Sequence, residues 1–336
     1  MKKHHYLSFA FAALLITAII VPSLLVTSFA QGEKEVAVKE VKKPRSAPTA
    51  KEPAVAVFRS ASQQTETFPL EQYVAGVVAA EMPAEFEKEA LKAQALTART
   101  FIVKHMMNGK RANGGQAHVT DTVNHQVFRT KKELQRIWGK DYDWKWKKIT
   151  EAVQDTKGQI ITYNNSPITA SFFSTSNGYT ENSEDYWNAP LPYLKSVSSP
   201  WDERSPKYLS KKVMPIREFE QKLGVSIGSD QEAGTITART PGKRIAKIKI
   251  GSKEFTGREV REKLGLPSSD FSWVLKGEEV VISTKGYGHG VGMSQYGANG
   301  MAKAGKTHLE IIKHYYQQTD VEKASRYVNE AGAAKK

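Results

Sequence analysis

Leu70, Tyr73, Val74, Val77 and Val78 recur at helical spacing and draw a single apolar stripe. They predict a helix that ends near Glu81-Met82-Pro83, because proline restricts the residue before it and cannot extend a helix. A second helix is expected over roughly residues 85–107. Ala90, Ala93, Ala95 and Ala98 stand there among larger side chains and let another element approach the backbone closely. Residues 109–116 read as a polar, glycine-rich loop. Trp138, Trp144 and Trp146 lead into a short helix with Gly158 just past its end.

From Gln159 the period shortens toward two. Residues 160–163 and 168–173 flank Asn164-Asn165-Ser166-Pro167 as a hairpin-like pair. Ala246, Ile248 and Ile250 alternate with Lys247 and Lys249, and Gly251-Ser252 offers a turn into residues 253–256. A short helix is expected from Thr256 or Gly257 to Leu264, stopped by Gly265 and Pro267, with one more strand over residues 280–283. Thr307-His308-Leu309-Glu310 forms a capping box that opens a final helix. Neither a βαβ rhythm nor a repeat is present, so the fold class is α+β, a single large domain of helices packed on antiparallel strands.

The two ends depart from this pattern. Lys2 and Lys3 precede an uncharged apolar run from Tyr6 to Ala30. About 20 apolar residues span a bilayer, whereas a secretory h-region has only about 7–15. Residues 1–30 are therefore expected to be a retained transmembrane anchor, although Ser28-Phe29-Ala30 would also serve as a cleavage site. Lys34, Lys39, Lys42, Lys43 and Arg45 follow the span and blur the charge rule for its orientation. Export of the long carboxy-terminal part is expected. Residues 31–56, rich in Lys, Glu, Ala, Val and Pro, read as a disordered tether. The folded domain is expected over residues 57–320, with a polar tail over 321–336.

The formal net charge of +14 favours polyanionic partners: nucleic acid, anionic lipid, or a wall rich in carboxylates and phosphates. With no cysteine, disulfides and thiolate metal sites are excluded. His118 and His125, with Asp121 between them, lack the ligand spacing of a zinc site, so no metal or cofactor is expected. A Gly-x-Ser-x-Gly elbow, a GxGxxG run and a Walker lysine are all missing, which leaves serine hydrolase and nucleotide chemistry unsupported. A nucleic-acid binder would rest on charge alone and conflicts with export.

Glu81 is the strongest catalytic candidate. Its place at the carboxy end of an apolar helix beside Val77, Val78 and Met82 should push its pKa up, as a general acid requires. The plain alternative is a solvated glutamate at a helix end. Lys92, Gln94 and Arg99 lie on the second helix, either as a polar face or as groups reaching Glu81 or a sugar hydroxyl. Ser174-Thr175-Ser176-Asn177-Gly178-Tyr179-Thr180-Glu181 surrounds one aromatic with hydroxyls and amides, which suits a carbohydrate surface or an ordinary turn. In residues 286–297, GYGHGVGMSQYG, alternate glycines flank His289, and a helix is expected to start near Ser294.

Three stretches together resemble the stage II sporulation protein D family, which includes amidase-enhancer proteins. They are LEQYVAGVVAAEMPAEFEKEALKAQALTARTF (residues 70–101), FFSTSNGYTE (172–181) and GYGHGVGMSQYGA (286–298). Weaker similarity extends over roughly residues 55–320. The resemblance implies a peptidoglycan lytic transglycosylase that cuts the MurNAc–GlcNAc β-1,4 bond in a glycan-binding groove. Glu81 would be its single acid/base, and the MurNAc 6-hydroxyl would attack C1 to leave a 1,6-anhydro end. Substrate contacts are expected from Lys92, Gln94, Arg99, Ser176, Tyr179, Glu181, His289, Ser294, Gln295 and Tyr296. The resemblance also implies denuded glycan as substrate and stage II sporulation proteins P and M as partners. The setting would be the mother-cell membrane facing the septal space during septal thinning and engulfment. A non-catalytic wall-binding enhancer of an N-acetylmuramoyl-L-alanine amidase is the competing expectation. The chain departs from the family at residues 118–126, where some relatives carry a cysteine/histidine zinc cluster, and at Ser174, where relatives often show histidine.

Overall fold

The computed structural model describes residues 52–227 and 234–327. The expected anchor and most of the expected tether lie outside the described residues. No helix among those described is long and apolar enough to cross a membrane.

The main body opens with an antiparallel hairpin, β1 (Ala54–Arg59) and β2 (Gln64–Pro69), so ordered structure begins before the expected Val57. Two helices follow, α1 (Leu70–Glu81) and α2 (Lys88–Met107). Along α2, Ala90, Ala93, Ala95 and Ala98 have no exposed surface. Those short side chains let α1 pack on α2, together with four elements still to come in the chain. They are α4 (Tyr142–Asp155), β4 (Gln159–Tyr163), α8 (Gln295–Lys303) and α9 (His308–Tyr315). Between α2 and α4 lie β3 (Val119–Thr120), which pairs in parallel with β1, and α3 (Lys131–Trp138), whose Thr130 makes a capping box with Glu133.

The hairpin expected after Gln159 is shorter than its sequence suggests. Asn164 and Asn165, at φ of 47° and 57°, turn β4 back into β5 (Ser166–Pro167). The chain then leaves that sheet. Phe172–Phe173 (β6) pairs in parallel with Met293–Ser294 (β13), joining two of the family-like segments. A short helix, α5 (Ser183–Trp187), follows. At the far end β14 (Asp320–Lys323) pairs antiparallel with β4, and Ala324 and Tyr327 are buried. The folded part thus runs past the expected boundary at residue 320, because this strand has an apolar floor to lie on.

A second core, separate from the first, belongs to an inserted subdomain. It holds β7 (Leu209–Pro215), α6 (Ile216–Leu223), β8 (Thr235–Arg239), β9 (Ile245–Ile250), β10 (Lys253–Thr256), α7 (Gly257–Leu264), β11 (Asp270–Lys276) and β12 (Glu279–Lys285). The strands make two three-stranded antiparallel sheets, ordered β10-β9-β8 and β11-β12-β7. The insertion enters and leaves at one place, where the Gly286 N–H donates to the Tyr208 carbonyl at 2.7 Å. The whole is a mixed α+β fold.

Candidate functional site

Glu81 is the last residue of α1, where Pro83 prevents another turn. The Val127 N–H donates to its Oε1 at 3.1 Å, and the Gln295 side-chain amide donates to its backbone carbonyl at 3.0 Å. Burial raises the Glu81 pKa above the ordinary carboxylate value, and the Val127 bond only partly offsets that effect. The carboxyl lines a cleft of about 360 Å³. One wall is apolar, from Leu134, Ile137 and Trp138 of α3, and three cations, Arg129, Lys145 and Lys207, stand around it. Glu85 also lines the cleft, but Lys145 binds it at 2.8 Å and pulls its pKa down. Two carboxyls in one cleft are thus pushed in opposite directions. Glu81 is poised to hold a proton, while Glu85 stays ionised and committed to a lysine.

Aromatic surfaces rim the cleft. The Lys145 ammonium sits 5.9 Å from the Trp138 ring and 5.3 Å from that of Trp144. The Lys207 ammonium sits 4.9 Å from the half-exposed Tyr287 ring. Exposed rings beside cations suit a polymer with C–H faces and anionic substituents. Sequence reasoning missed Arg129, Trp138, Lys145, Lys207 and Tyr287 as site residues. Only the clustering of three tryptophans hinted at any of them.

The glycine loop is a connector built by backbone contacts. Gly286, Gly288, Gly290 and Gly292 have φ between 81° and 115°. A Cβ on Gly292 would lie 2.1 Å from the Ser171 carbonyl oxygen, which no side chain tolerates. Tyr287 exchanges backbone hydrogen bonds with Thr175, and the Gly290 carbonyl accepts from the Glu181 N–H at 2.8 Å. His289 packs its ring among Phe173, Tyr186 and Trp187 at 5.6–5.7 Å. Its Nδ1 accepts the Val291 N–H at 3.1 Å. Burial, with Arg261 and Arg244 nearby, lowers its pKa to about 4. A base depressed in this way contributes stability that is present above its unfolded pKa, about 6.5, and lost as pH falls through its folded pKa, about 4. Replacing His289 by Gln is expected to flatten thermal stability across that pH window. A Tm-against-pH profile with the same slope as the parent would count against it.

The other expected contacts separate into two groups. Gln295 and Tyr296 lie at the Glu81 turn, Tyr296 with its ring edge-on to Phe86 at 4.9 Å. Tyr179 is exposed, with Lys243 5.8 Å from its ring centre. Lys92 ties to Glu89 at 2.7 Å, which also holds His308. Ser176, Ser294, Gln94 and Arg99, by contrast, have no exposed surface, and Glu181 has almost none. A side chain closed off from solvent cannot touch a glycan strand, so the structure corrects the expectation for these five. Arg99 binds Glu71 inside the main core, and Glu181 faces Thr240 at 2.8 Å and Arg244 at 3.5 Å. Gln94 is enclosed, with neither amide atom bonded among the described residues.

Ser176 and Ser294 meet at Asp202, an unforeseen hub. The Asp202 carboxylate is wholly buried. It accepts the Ser176 N–H (2.9 Å) and hydroxyl (2.8 Å), the Ser199 hydroxyl (2.6 Å) and the Ser294 hydroxyl (2.5 Å). Ser294 also caps α8 by accepting the Gly297 N–H at 3.2 Å. One acidic group thereby fixes the start of α8, and with it Gln295 against Glu81. Asp202→Asn keeps the shape but turns one acceptor into a donor. It is expected to cost about 1–3 kcal/mol, read by chemical denaturation. An unchanged midpoint would remove Asp202 from this role.

A family model described as "Stage II sporulation protein" (SpoIID) matches residues 59–163, the span that contains Glu81 and its cleft wall. Stage II sporulation protein D of Bacillus amyloliquefaciens is 50% identical over 97% of this chain and 98% of its own length. The protein of the same name from Bacillus subtilis (strain 168) is 50% identical over 94% and 96%. An amidase enhancer of Bacillus subtilis (strain 168) is 30% identical over 73% of this chain and 39% of that protein. With half its residues shared along nearly the whole of such relatives, this chain belongs to the stage II sporulation protein D family.

Proposed function

We propose that this sporulation protein is a peptidoglycan lytic transglycosylase with Glu81 as its single acid/base. The observation that carries the reading is a carboxyl raised by burial in a cleft whose only other carboxylate among the described residues, Glu85, is tied to Lys145. The protonated Glu81 would give its proton to the oxygen bridging MurNAc and GlcNAc, and the C1–O bond breaks. The resulting carboxylate would take the proton of the MurNAc 6-hydroxyl as that oxygen bonds to C1, leaving a 1,6-anhydro end. The nucleophile belongs to the substrate, so the second carboxylate of a glycoside hydrolase has no task here. Strands stripped of stem peptides carry a free lactyl carboxylate on each MurNAc, which Arg129 and Lys207 complement.

In this proposal the protein acts in septal thinning and engulfment. Residues 1–30 hold it in the mother-cell membrane, the domain faces the septal space, and stage II sporulation proteins P and M act beside it. The test is mass spectrometry of denuded glycan digested with the purified protein, where 1,6-anhydroMurNAc ends are expected. Strand binding without any such product would favour a second reading, a non-catalytic wall-binding enhancer of an amidase. The likeness to the amidase enhancer supports that alternative.

A further inference from the structure

The β11-β12-β7 sheet buries Met214, Phe271, Val280 and Ile282 on one face. Its register sets the alternate residues in rows across the other. The rows read Leu209, Lys285, Asp270, then Lys211, Ser283, Ser272, then Val213, Val281, Val274. Among the described residues this face is open, with Val213 and Val274 more than half exposed. A groove of about 770 Å³ crosses the first two rows, banked on one side by Arg239 and Lys243.

The groove's charge is one-sided. Lys211, Arg239, Lys243 and Lys285 line it against a single carboxylate, Asp270. That carboxylate already accepts from Asn177 at 2.9 Å and Arg239 at 3.1 Å, and Lys243 stands against the Tyr179 ring, so Lys211 and Lys285 face open groove. Hydroxyls of Ser272 and Ser283 stand in the same row as Lys211. Cations beside hydroxyls suit a carbohydrate carrying carboxylates.

The groove and the Glu81 cleft adjoin along the chain at one junction. Lys207 lines that cleft, and β7 starts two residues later. Tyr287, under the Lys207 ammonium, comes two residues after β12 ends. The Tyr208–Gly286 hydrogen bond ties the two strands together at this junction. Each further pair of strand residues extends the surface by about 7 Å, so the rows of the sheet lie in series with the cleft.

We infer that this sheet face is a distal subsite for the same anionic glycan strand whose scissile bond lies at Glu81. It gives the protein a preference for long strands over short oligomers. The inference rests on the Glu81 cleft taking a glycan. Two full-length variants probe it: Lys211→Glu with Lys285→Glu reverses the charge, and Ser272→Trp fills the groove without changing charge. Lys303→Glu with Lys313→Glu, on α8 and α9, is the charge-matched control. On long denuded strands both groove variants should raise KM about tenfold with kcat unchanged, while the shortest cleaved oligomer is turned over as by the parent. Strand affinity by direct binding should fall in parallel, a reading that does not need catalysis.

An unchanged long-strand KM and affinity would overturn the subsite, as would equal losses on both lengths or the same loss in the control. A groove that instead takes an anionic phosphodiester polymer or an acidic protein would show the first of those outcomes. Failure of the catalytic reading has a different signature: the parent, or the Glu81→Gln variant, would break the expected pattern of anhydro products whatever the groove variants do.

Discussion

Purified Glu81→Gln protein releases no anhydro-ended fragments from denuded glycan, yet folds and still binds the strand: this is the expected result if Glu81 is the acid/base. The glutamine oxygen can still accept the Val127 N–H, and the helix end with its Gln295 contact is unaltered. What it lacks is a transferable proton. General acid–base catalysis is worth on the order of 10²–10⁴-fold in rate, and here one group serves both halves of the reaction, so the loss should lie at the upper end. The loss belongs in kcat with little change in KM. In the parent, kcat should fall as pH rises through the elevated Glu81 pKa, because the protonated form is the working one. Stability runs the same way. A carboxyl whose folded pKa is raised binds its proton more tightly in the native state, so stability falls as pH climbs between the unfolded and folded values. The Gln variant, free of that penalty, should melt at or above the parent at neutral pH. Activity retained in the variant would end the assignment.

Arg99→Ala has the largest expected effect on stability. Its guanidinium donates from Nε and Nη2 to both oxygens of Glu71, and from Nη1 and Nη2 to the Gln159 and Val153 carbonyls. Glu71 in turn accepts the Gly158 N–H at 3.1 Å. The network clamps α1, α2, the end of α4 and the start of β4 at one buried point. Removing the arginine strands the Glu71 charge inside the core and unpairs carbonyls, a loss of about 3–5 kcal/mol. For a domain of this size that is a Tm drop of roughly 10 °C or more. Arg99→Lys should recover little, since an ammonium cannot reproduce the fork. A raised KM with unchanged Tm would instead return Arg99 to the substrate.

Local chemistry made much of this fold readable. The Leu70–Glu81 stripe, the Pro83 stop, the helix start at Thr256, the Thr307 capping box and the glycine after Leu264 each act within a few residues, so the sequence shows them directly. Glu81 was legible in part for the same reason: the apolar helix end on which it sits foretells burial, and burial raises its pKa. Partners across the chain were hidden. Phe172–Phe173 looked like the far arm of a hairpin because its mate, Met293–Ser294, lies beyond the whole subdomain. Ser176 and Ser294 looked like sugar-binding hydroxyls because nothing local announces Asp202, which sits in a short turn without a pattern of its own. The strand β7 escaped notice for a related reason. Its outer positions carry Leu209 and Val213, which blurs the alternation that would have marked it.

The junction at Tyr208 and Gly286 has a bearing on how the chain assembles. Joining β6 to β13 across a loop of this length costs roughly 4 kcal/mol in chain entropy if the intervening residues are unfolded. The subdomain has its own core and holds its two ends within one hydrogen bond of each other, so once formed it takes residues 208–286 out of that loop and leaves residues 174–207 and 287–292 to close it. It can therefore act as a folding staple, completing itself first and delivering the Gly286–Gly297 segment to the rest of the chain. The same geometry makes it a natural unit of exchange: lengthened, trimmed or replaced in another lineage, it would leave the register of β6 and β13 intact.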